Sequence, residues 1–416
     1  MNNTALAKDM VRFDVEGVRR EFPVLSRMVH GKPLCYLDNG ASAQRARPVI
    51  EAVDDYERHH HANIHRGVHT LSQEATSLYE SARDRLVRFV NARSRHEIIF
   101  VRGTTEAINL VAQAYGRPLL KAGDEVLITH LEHHANIVPW QILCGQTGAV
   151  LKVAPIDARG EVHVEAVEAL MTPRTRLFAF AHVSNALGTV LPVRRLVAAA
   201  RARGIVTLID GAQAVPHMAV DVQALDCDFY AFSSHKLFGP TGVGVLYGRE
   251  ALLERMPPWQ GGGDMILSVA FDGTTYNSLP YKFEAGTPNI SGAIGLGAAV
   301  DFLGSLDLEA AHAHEHALLE YATRTLGKID DLRIIGTAAD KASLISFVVA
   351  GVHPHDLGTI LDEDGIAIRT GHHCAMPVMD FFKVPATARA SFAFYNTFGE
   401  IDRLGAAIER ARTLFA

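Results

Sequence analysis

The fold is decided by two neighbouring segments, TLIDGAQAVPH (207–217) and DFYAFSSHK (228–236). Each begins with a short apolar run, typical of a buried strand, and polar residues follow at once. The first run ends at Asp210, and the second leads into Lys236. Because ligands of open α/β sheets bind at the carboxyl ends of strands, this pattern predicts that an acid and a lysine share one crevice.

The same alternation extends outward from these two segments. Short apolar runs alternate with segments of helical periodicity, and this alternation predicts an α/β fold in which helices cover a parallel sheet. The apolar runs are 97–101, 125–129, 149–153, 176–182, 204–210 and 228–233, and the helical segments include 107–115 and 193–204. The glycine-rich stretches 238–248, 257–265 and 286–297 interrupt this rhythm, and we expect active-site loops and an interdomain seam there.

A different order of elements follows residue 300 and predicts a smaller α+β domain. The expected elements are a helix at 307–327, a strand at 343–349, a helix at 354–364, strands at 366–369 and 389–394, and a helix at 399–415. The 416 residues are long enough for two or three domains, and 48% apolar with 21% charged residues is typical of a globular protein.

Charge and cysteine content narrow the function classes further. The net charge of −6 is spread along the chain and offers no basic face, so we expect no nucleic-acid partner. No run of about 20 apolar residues occurs and the N-terminus lacks the apolar core of a secretory signal, so we expect no membrane span and a cytoplasmic protein. The four cysteines are far apart, which argues against a disulfide framework or a zinc ribbon.

An acid at one strand end and a lysine at the next are what pyridoxal phosphate requires. The lysine forms a Schiff base with the cofactor, and the carboxylate pairs with the pyridinium nitrogen. The segment VRGTTEAINL (101–110) offers a phosphate site, because two threonines open a helix after a glycine. In LEHHANIVPW (131–140), His133 follows another strand and could stack on the ring and move protons. Each segment alone has an ordinary alternative: a turn cap, a helix cap or a structural histidine.

A reactive thiol is predicted in IRTGHHCAMP (368–377). Cys374 follows a strand and has Arg369, His372 and His373 beside it, and cationic neighbours lower the pKa of a thiol. The alternative is a small packed residue, which is how we interpret the other three cysteines. A metal site is the competing interpretation of another group of side chains, and we do not favour it because the segment is interrupted and has no H-E-x-x-H pattern. Those side chains are His61, His65 and His69 at i, i+4 spacing, preceded by His59 and His60.

Together these segments resemble the cysteine desulfurases, which are class V aminotransferase-like pyridoxal-phosphate enzymes of fold-type I, and among them the SUF-type (group II) desulfurases. The resemblance covers nearly the whole chain and is carried by YLDNGASAQ, HRGVHTLSQEAT, VRGTTEAINLVA, EHHANIVPW, AHVSNALGT, DGAQAV, HKLFGPTG, FEAGTPN and RTGHHCAMP. It implies a large domain at 36–298 with a mostly parallel seven-stranded sheet. It also implies a small domain at 299–416 carrying the cysteine loop, and an N-terminal segment, 1–35, packed against that domain.

The resemblance also implies roles for matching residues. Lys236 would hold pyridoxal 5′-phosphate, and His133 would stack on the ring and move protons. The other cofactor contacts would be Asp210 and Gln213 at the ring, Thr104, Thr105, Ser233 and His235 at the phosphate, and Thr287 reaching the phosphate from the second subunit of a homodimer. The substrate would be held by Asn185 and Arg389, with Arg369 as a further candidate. Ser234 stands where the family often has glycine, which raises the question of backbone freedom.

The implied reaction converts L-cysteine to L-alanine. Its sulfur would form a persulfide on Cys374 and pass to an acceptor protein of the SUF pathway, supplying iron–sulfur cluster assembly. Within enzymes, the alternatives are a selenocysteine lyase, a cysteine-sulfinate lyase or a class V aminotransferase, which would not need Cys374. Outside enzymes, the alternative is a binding or scaffold protein that has kept the fold.

Overall fold

A seven-stranded sheet forms the centre of the molecule in the computed structural model, which describes residues 13–415. Its strands are β1 (Ile98–Val101), β2 (Glu125–Thr129), β3 (Val150–Ala154), β4 (Thr175–Ala181), β5 (Val206–Asp210), β6 (Phe229–Ser233) and β7 (Gly244–Gly248). They lie in the order β1-β7-β6-β5-β4-β2-β3, and β7 is antiparallel to both of its neighbours. The predicted α/β fold with a mostly parallel sheet is confirmed.

Both faces of this sheet are buried, which explains the nearly continuous apolar runs in its strands. In β4, Phe178 and Phe180 belong to one apolar cluster, while Leu177 and Ala179 belong to the cluster on the opposite face. Between residues 13 and 304, the α-helices are Val15–Arg19, Arg47–Asp55, Thr70–Phe89, Thr104–Leu110, Arg117–Leu119, Val138–Thr147, Val164–Leu170, Val193–Arg201, Val222–Leu225, Glu250–Arg255 and Ile290–Gly304. Both faces of the sheet are therefore covered, and the adjacent carboxyl ends of β5 and β6 lie together at one end of it.

Two glycine-rich stretches predicted as loops contain regular elements instead. Strand β7 lies inside 238–248, where a Cβ on Gly244 would approach the Gly103 Cα to 2.6 Å. The helix Ile290–Gly304 begins inside 286–297, and a Cβ on its Gly295 would lie 2.5 Å from Pro240. The prediction of loops was wrong here because these glycines allow close packing between elements rather than chain flexibility.

The chain after residue 330 forms a second, separate sheet of four antiparallel strands, which we call the small sheet. Its strands are β8 (Leu332–Ile335), β9 (Leu344–Val349), β10 (Arg369–Gly371) and β11 (Thr387–Ser391), in the order β8-β9-β11-β10. The helices here are Leu308–Leu326, Pro354–Glu363, Met376–Phe382 and Phe398–Leu414. The predicted single strand 366–369 is divided, because Ile366–Ala367 pairs with Cys35–Tyr36 whereas Arg369 pairs with Arg389 of β11.

From Phe13 onward, the N-terminal chain contacts residues that follow the last strand of the small sheet. Phe13 packs edge-on against Phe394, and Arg19 forms an ion pair of 2.7 Å with Glu400. Residues 1–12 of the predicted segment lie outside the described residues, and the helix Ile290–Gly304 runs through the predicted boundary at 298–299. The domain boundaries stay a prediction.

A short, exposed hairpin follows the large sheet in the chain. The strands Ile266–Ala270 and Gly273–Tyr276 form the hairpin, with Leu267 and Val269 exposed. No single helix within 13–415 is long and apolar enough to cross a membrane, and the pair Ile290–Gly304 and Leu308–Leu326, bent by 88°, passes that test only when its members are combined.

Candidate active site

A cavity of about 250 Å³ lies at the carboxyl ends of β5 and β6. It brings together all the predicted site residues except Thr287. These are Thr104, Thr105, His133, Asn185, Asp210, Gln213, Ser233, His235, Lys236, Arg369, Cys374 and Arg389. They come from the ends of several strands and from the small sheet, so the cavity exists only in the folded chain.

Asp210 and Lys236 form the charged centre of the cavity. The Asp210 Oδ1 accepts a hydrogen bond of 2.9 Å from the Ala212 N–H. Burial raises the pKa of Asp210, and the charge of Lys236 opposes this shift. Burial also lowers the pKa of Lys236 to about 8, against the opposing effect of Asp210. The lysine is therefore closer to its neutral, nucleophilic form than an exposed lysine.

The predicted phosphate site lies beside this pair, where β6 meets the start of the helix Thr104–Leu110. The Thr104 N–H donates to the Ser233 Oγ over 2.9 Å, and the two hydroxyl oxygens are 2.8 Å apart. Burial lowers the pKa of His235 to about 4, so its ring is neutral at physiological pH. The arrangement offers hydroxyl groups and a helix N-terminus, which suit an anion.

The turn after β6 accommodates serine where the family often has glycine. Ser234 is fully buried, and its backbone is outside the left-handed region. A side chain at this position therefore requires no unusual backbone conformation. Its Oγ has no hydrogen-bond partner within 13–415, and Gly239 packs against it so closely that a Cβ there would come within 2.2 Å.

The two adjacent histidines after β2 face different surroundings. His133 lines the cavity, and its Nδ1 accepts a hydrogen bond of 3.0 Å from the Ala135 N–H. Burial and the charge of Lys236 lower the pKa of His133 to about 4. His134 instead contacts the segment that carries Cys374. Of the two histidines, His133 is therefore the one that lines the cavity.

Two arginines from neighbouring strands share one carboxylate, which the sequence interpretation missed. Arg369 donates from Nε and Nη2 to Asp38 at 3.0–3.2 Å, and Arg389 donates from Nη2 to the same carboxylate at 3.4 Å. Arg389 also donates to the Asn185 carbonyl at 2.8 Å. Burial lowers the pKa of Arg389 to about 10. Asp38 lies within the segment YLDNGASAQ, but nothing local in that segment indicates contact with residues more than 300 positions away.

Two buried polar atoms indicate that this part of the cavity is built for a ligand. Within 13–415, neither Arg389 Nε nor Asn185 Oδ1 has a hydrogen-bond partner. Unsatisfied buried groups cost free energy unless a ligand or water pairs with them. A carboxylate would pair with the guanidinium, so the residues fit an amino-acid substrate above a cofactor held at Lys236.

The loop around Cys374 has an unusual backbone. His373 and Cys374 have φ angles of 52° and 54°, which lie in the left-handed region. Cys374 is exposed, whereas Cys35, Cys144 and Cys227 are buried. Burial lowers the pKa of His373 to about 3. The sequence interpretation counted His373 among the cations beside Cys374, and that was wrong because its buried ring is neutral.

A second buried carboxyl group, Glu132, was not identified from the sequence. It accepts hydrogen bonds from the Thr129 hydroxyl at 2.5 Å, the Asn136 amide at 2.6 Å and the Ala181 N–H at 3.1 Å. Burial raises its pKa to about 8, although these three donors oppose the shift. Glu132 thereby joins the turn before His133 to the end of β4. A charged residue three positions after a buried strand was the available signal.

Thr287 and the histidine segment lie elsewhere. Thr287 lines a separate cavity of about 450 Å³ with Arg102 and Trp259. His65 Nε2 is 3.0 Å from Glu80 Oε1. His60 Nδ1 is 3.0 Å from Glu74 Oε2, and its Nε2 is 3.7 Å from Asp55 Oδ2, so these histidines form separate ion pairs with carboxylates. Across 13–415, no three His, Cys, Asp or Glu side chains are placed to hold a metal ion.

Comparison with known proteins agrees with this fold. Residues 35–404 match the model of the family described as aminotransferase class V. The chain is 52% identical to a cysteine desulfurase from Cronobacter sakazakii and 53% identical to one from Serratia proteamaculans; each match covers 97% of this chain and 99% of the relative. The crystal structure of the cysteine desulfurase CsdA from Escherichia coli is 42% identical, covers 97% of this chain and 100% of that one, and has a TM-score of 0.91.

A second solved structure, a cysteine desulfurase from Thermococcus onnurineus, is 38% identical over 96% of this chain and 98% of its own, also with a TM-score of 0.91. The chain belongs to the class V aminotransferase family and, within it, to the cysteine desulfurases. Pyridoxal 5′-phosphate is the cofactor of these enzymes. The Asp210–Lys236 pair and the hydroxyl groups beside it fit that cofactor.

Proposed function

We propose that this chain converts L-cysteine to L-alanine and carries the released sulfur as a persulfide on Cys374. The observation that supports this most directly is the position of Cys374. It is the exposed cysteine of the chain, and it lines the same cavity as Lys236 and Arg389. A thiolate placed there can attack the sulfur of a substrate whose carboxylate is bound by Arg389, so that the S–S bond forms as the substrate Cβ–S bond breaks. The electron pair of the broken bond stays with the carbon skeleton, and protonation at Cβ gives the methyl group of alanine.

The remaining residues have roles that follow from their chemistry. Pyridoxal phosphate supplies an electron sink for the pair of electrons left when the substrate Cα loses its proton. Lys236 Nζ, with its lowered pKa, would accept that proton, and His133 would donate one when alanine is completed. Asp210 would pair with the ring nitrogen and Gln213 would contact the ring hydroxyl. Thr104, Thr105, Ser233 and His235 would hold the phosphate, and Asn185 and Arg369 would assist Arg389.

The wider setting belongs to the same proposal. The persulfide would pass to an acceptor protein of the SUF pathway and supply iron–sulfur cluster assembly. The free state of all four cysteines fits a cytoplasmic enzyme. The enzyme would be a homodimer, with Thr287 of one subunit reaching the phosphate in the other, since Thr287 is exposed and lines a different cavity from Lys236.

The substitution Cys374→Ala tests the proposal. We expect it to abolish sulfide and alanine formation from L-cysteine while leaving the visible absorbance of the bound cofactor unchanged. Cys144→Ala is the matched control, because Cys144 is buried outside the cavity and its removal should leave turnover intact. Retained desulfuration by the Cys374→Ala variant would refute the persulfide step and favour a lyase or aminotransferase reaction.

A further inference from the structure

His134 makes two hydrogen bonds to the segment that carries Cys374. Its backbone N–H donates to the Cys374 carbonyl over 2.7 Å, and its ring Nε2 accepts from the Met376 N–H over 3.1 Å. A backbone amide can only donate, so Nε2 carries no proton and the ring proton is on Nδ1. His134 is therefore a neutral acceptor that holds the chain on both sides of the Cys374 side chain.

This loop needs such contacts because of its backbone. Both His373 and Cys374 adopt the left-handed conformation, which is unfavourable for residues with a Cβ. Before Cys374, the loop is held by the Asn185 amide, which donates to the His373 carbonyl at 2.5 Å, and by the His373–Thr387 contact of 2.8 Å. Both of these contacts are on the N-terminal side of Cys374, so other residues must hold the chain that follows it.

Beyond Cys374, the contacts come from the turn after β2. His134 binds the Met376 amide, and the His130 Nε2 lies 3.0 Å from the Pro377 carbonyl. Burial, and then the charge of His372, lower the pKa of His134, which keeps its ring neutral and able to accept. The same turn carries His133 into the cavity, so one element faces both the cofactor site and the thiol.

We propose that His134 is a positioning residue that holds Cys374 over the cavity for sulfur transfer, while the adjacent His133 acts at the cofactor. The inference rests on the proposed function of Cys374. His134 touches neither substrate nor cofactor, and it acts through the Met376 amide and the Cys374 carbonyl. One turn, the turn after β2, would therefore position both the Cys374 thiol and the catalytic His133.

The test compares His134→Ala with His134→Gln in the holoenzyme. Glutamine can place its amide oxygen near the position of Nε2 and accept the same hydrogen bond, whereas alanine cannot. We expect His134→Ala to increase hydrogen exchange at the Met376 amide and to lower kcat for L-cysteine, each about tenfold, with KM and cofactor absorbance unchanged. His134→Gln should restore both quantities to within about twofold of the wild type. His316→Ala, an exposed histidine on the helix Leu308–Leu326, is the control.

Two results would overturn the inference. One is unchanged Met376 exchange and kcat in a folded His134→Ala variant, and the other is a His134→Gln variant as impaired as His134→Ala. If His134→Ala fails to bind cofactor, the glutamine variant decides alone: wild-type exchange and kcat support the inference, and their loss in a folded protein contradicts it. Failure of the proposed function is separate, because it would appear as retained desulfuration by Cys374→Ala.

Discussion

At the scale of single residues, burial and mutual charge have opposite effects on the pKa values of Lys236 and Asp210. Lys236 and Asp210 are oppositely charged, yet enclosure in the cavity moves both pKa values toward the neutral forms. Enclosure also keeps His133 and His235 neutral. The cavity therefore holds an amine whose pKa lies closer to neutral pH than that of an isolated lysine, beside two imidazoles that stay uncharged.

The lowered pKa of Lys236 predicts the pH dependence of cofactor attachment. Only the neutral amine attacks an aldehyde, so the attachment rate to the apoprotein should rise with pH and level off above about 8. Stopped-flow absorbance after addition of pyridoxal phosphate measures this rate. The variant Asp210→Asn should shift the midpoint to lower pH, because Asp210 raises the pKa of Lys236. A rate that climbs until about pH 10.4, the usual pKa of lysine, would contradict the prediction.

At the scale of elements, the helix Ile290–Gly304 supports the turn that carries Lys236. It packs against the helices Thr70–Phe89 and Arg47–Asp55, and its Gly295 lies against Pro240 and Val53. Pro240 follows Lys236 by four residues. The helix thus joins the outer layer of the large sheet to the edge of the cavity, and the absence of a side chain at Gly295 sets how closely it approaches.

Gly295→Ala should therefore destabilise the protein, although alanine normally favours helices. A Cβ at this position would lie 2.5 Å from Pro240 and 2.7 Å from Val53, so we expect a loss of about 1–3 kcal/mol in the free energy of unfolding. The matched control is Gly304→Ala in the same helix, where a Cβ would meet nothing within 4 Å. Denaturant unfolding of the two variants measures the difference, and equal stabilities would show that the helix shifts freely.

At the scale of the whole molecule, two exposed features lie outside the cavity that contains Lys236: the segment around Thr287 and the hairpin Ile266–Tyr276. Thr287 lines a cavity of its own with Arg102 and Trp259. The hairpin carries Leu267 and Val269, which are 70% and 67% exposed. Exposed apolar side chains of this size commonly mark contact surfaces. Both features fit the homodimer of the proposed function.

Mixing two variant subunits with different defects tests whether Thr287 acts across the dimer. Lys236→Ala subunits lack the lysine, and Thr287→Ala subunits should bind the cofactor about tenfold more weakly through loss of a charge-assisted hydrogen bond. A hybrid dimer should contain one intact site, formed by Lys236 of one subunit and Thr287 of the other. Titration of cofactor absorbance should then show wild-type affinity in a fraction of sites. No such fraction after verified subunit exchange would place Thr287 in its own subunit's site.

The sequence by itself determined the fold class, the family and nearly all of the proposed site. Asp210 ends a buried strand, and Lys236 and His133 follow buried strands by three and four residues. Such local patterns can be recognised in a sequence because the carboxyl ends of parallel strands meet at one end of a sheet. The same local reasoning predicted loops where β7 and the helix Ile290–Gly304 lie, because glycine in a sequence normally indicates a loop. Only the folded chain shows that these glycines allow another segment to pack closely.

Only the tertiary structure decided which distant residues act on these groups. Asp38 meets Arg369 and Arg389 through contacts spanning more than 300 positions, and no local pattern encodes that separation. The residues alone left open which of His133 and His134 faces the cavity, and the family resemblance favoured His133. The structure adds the contact of His134 with the loop of Cys374, which no local pattern indicates. Periodicity and strand ends are properties of the chain, whereas burial and hydrogen-bond partners arise when segments far apart in sequence come into contact.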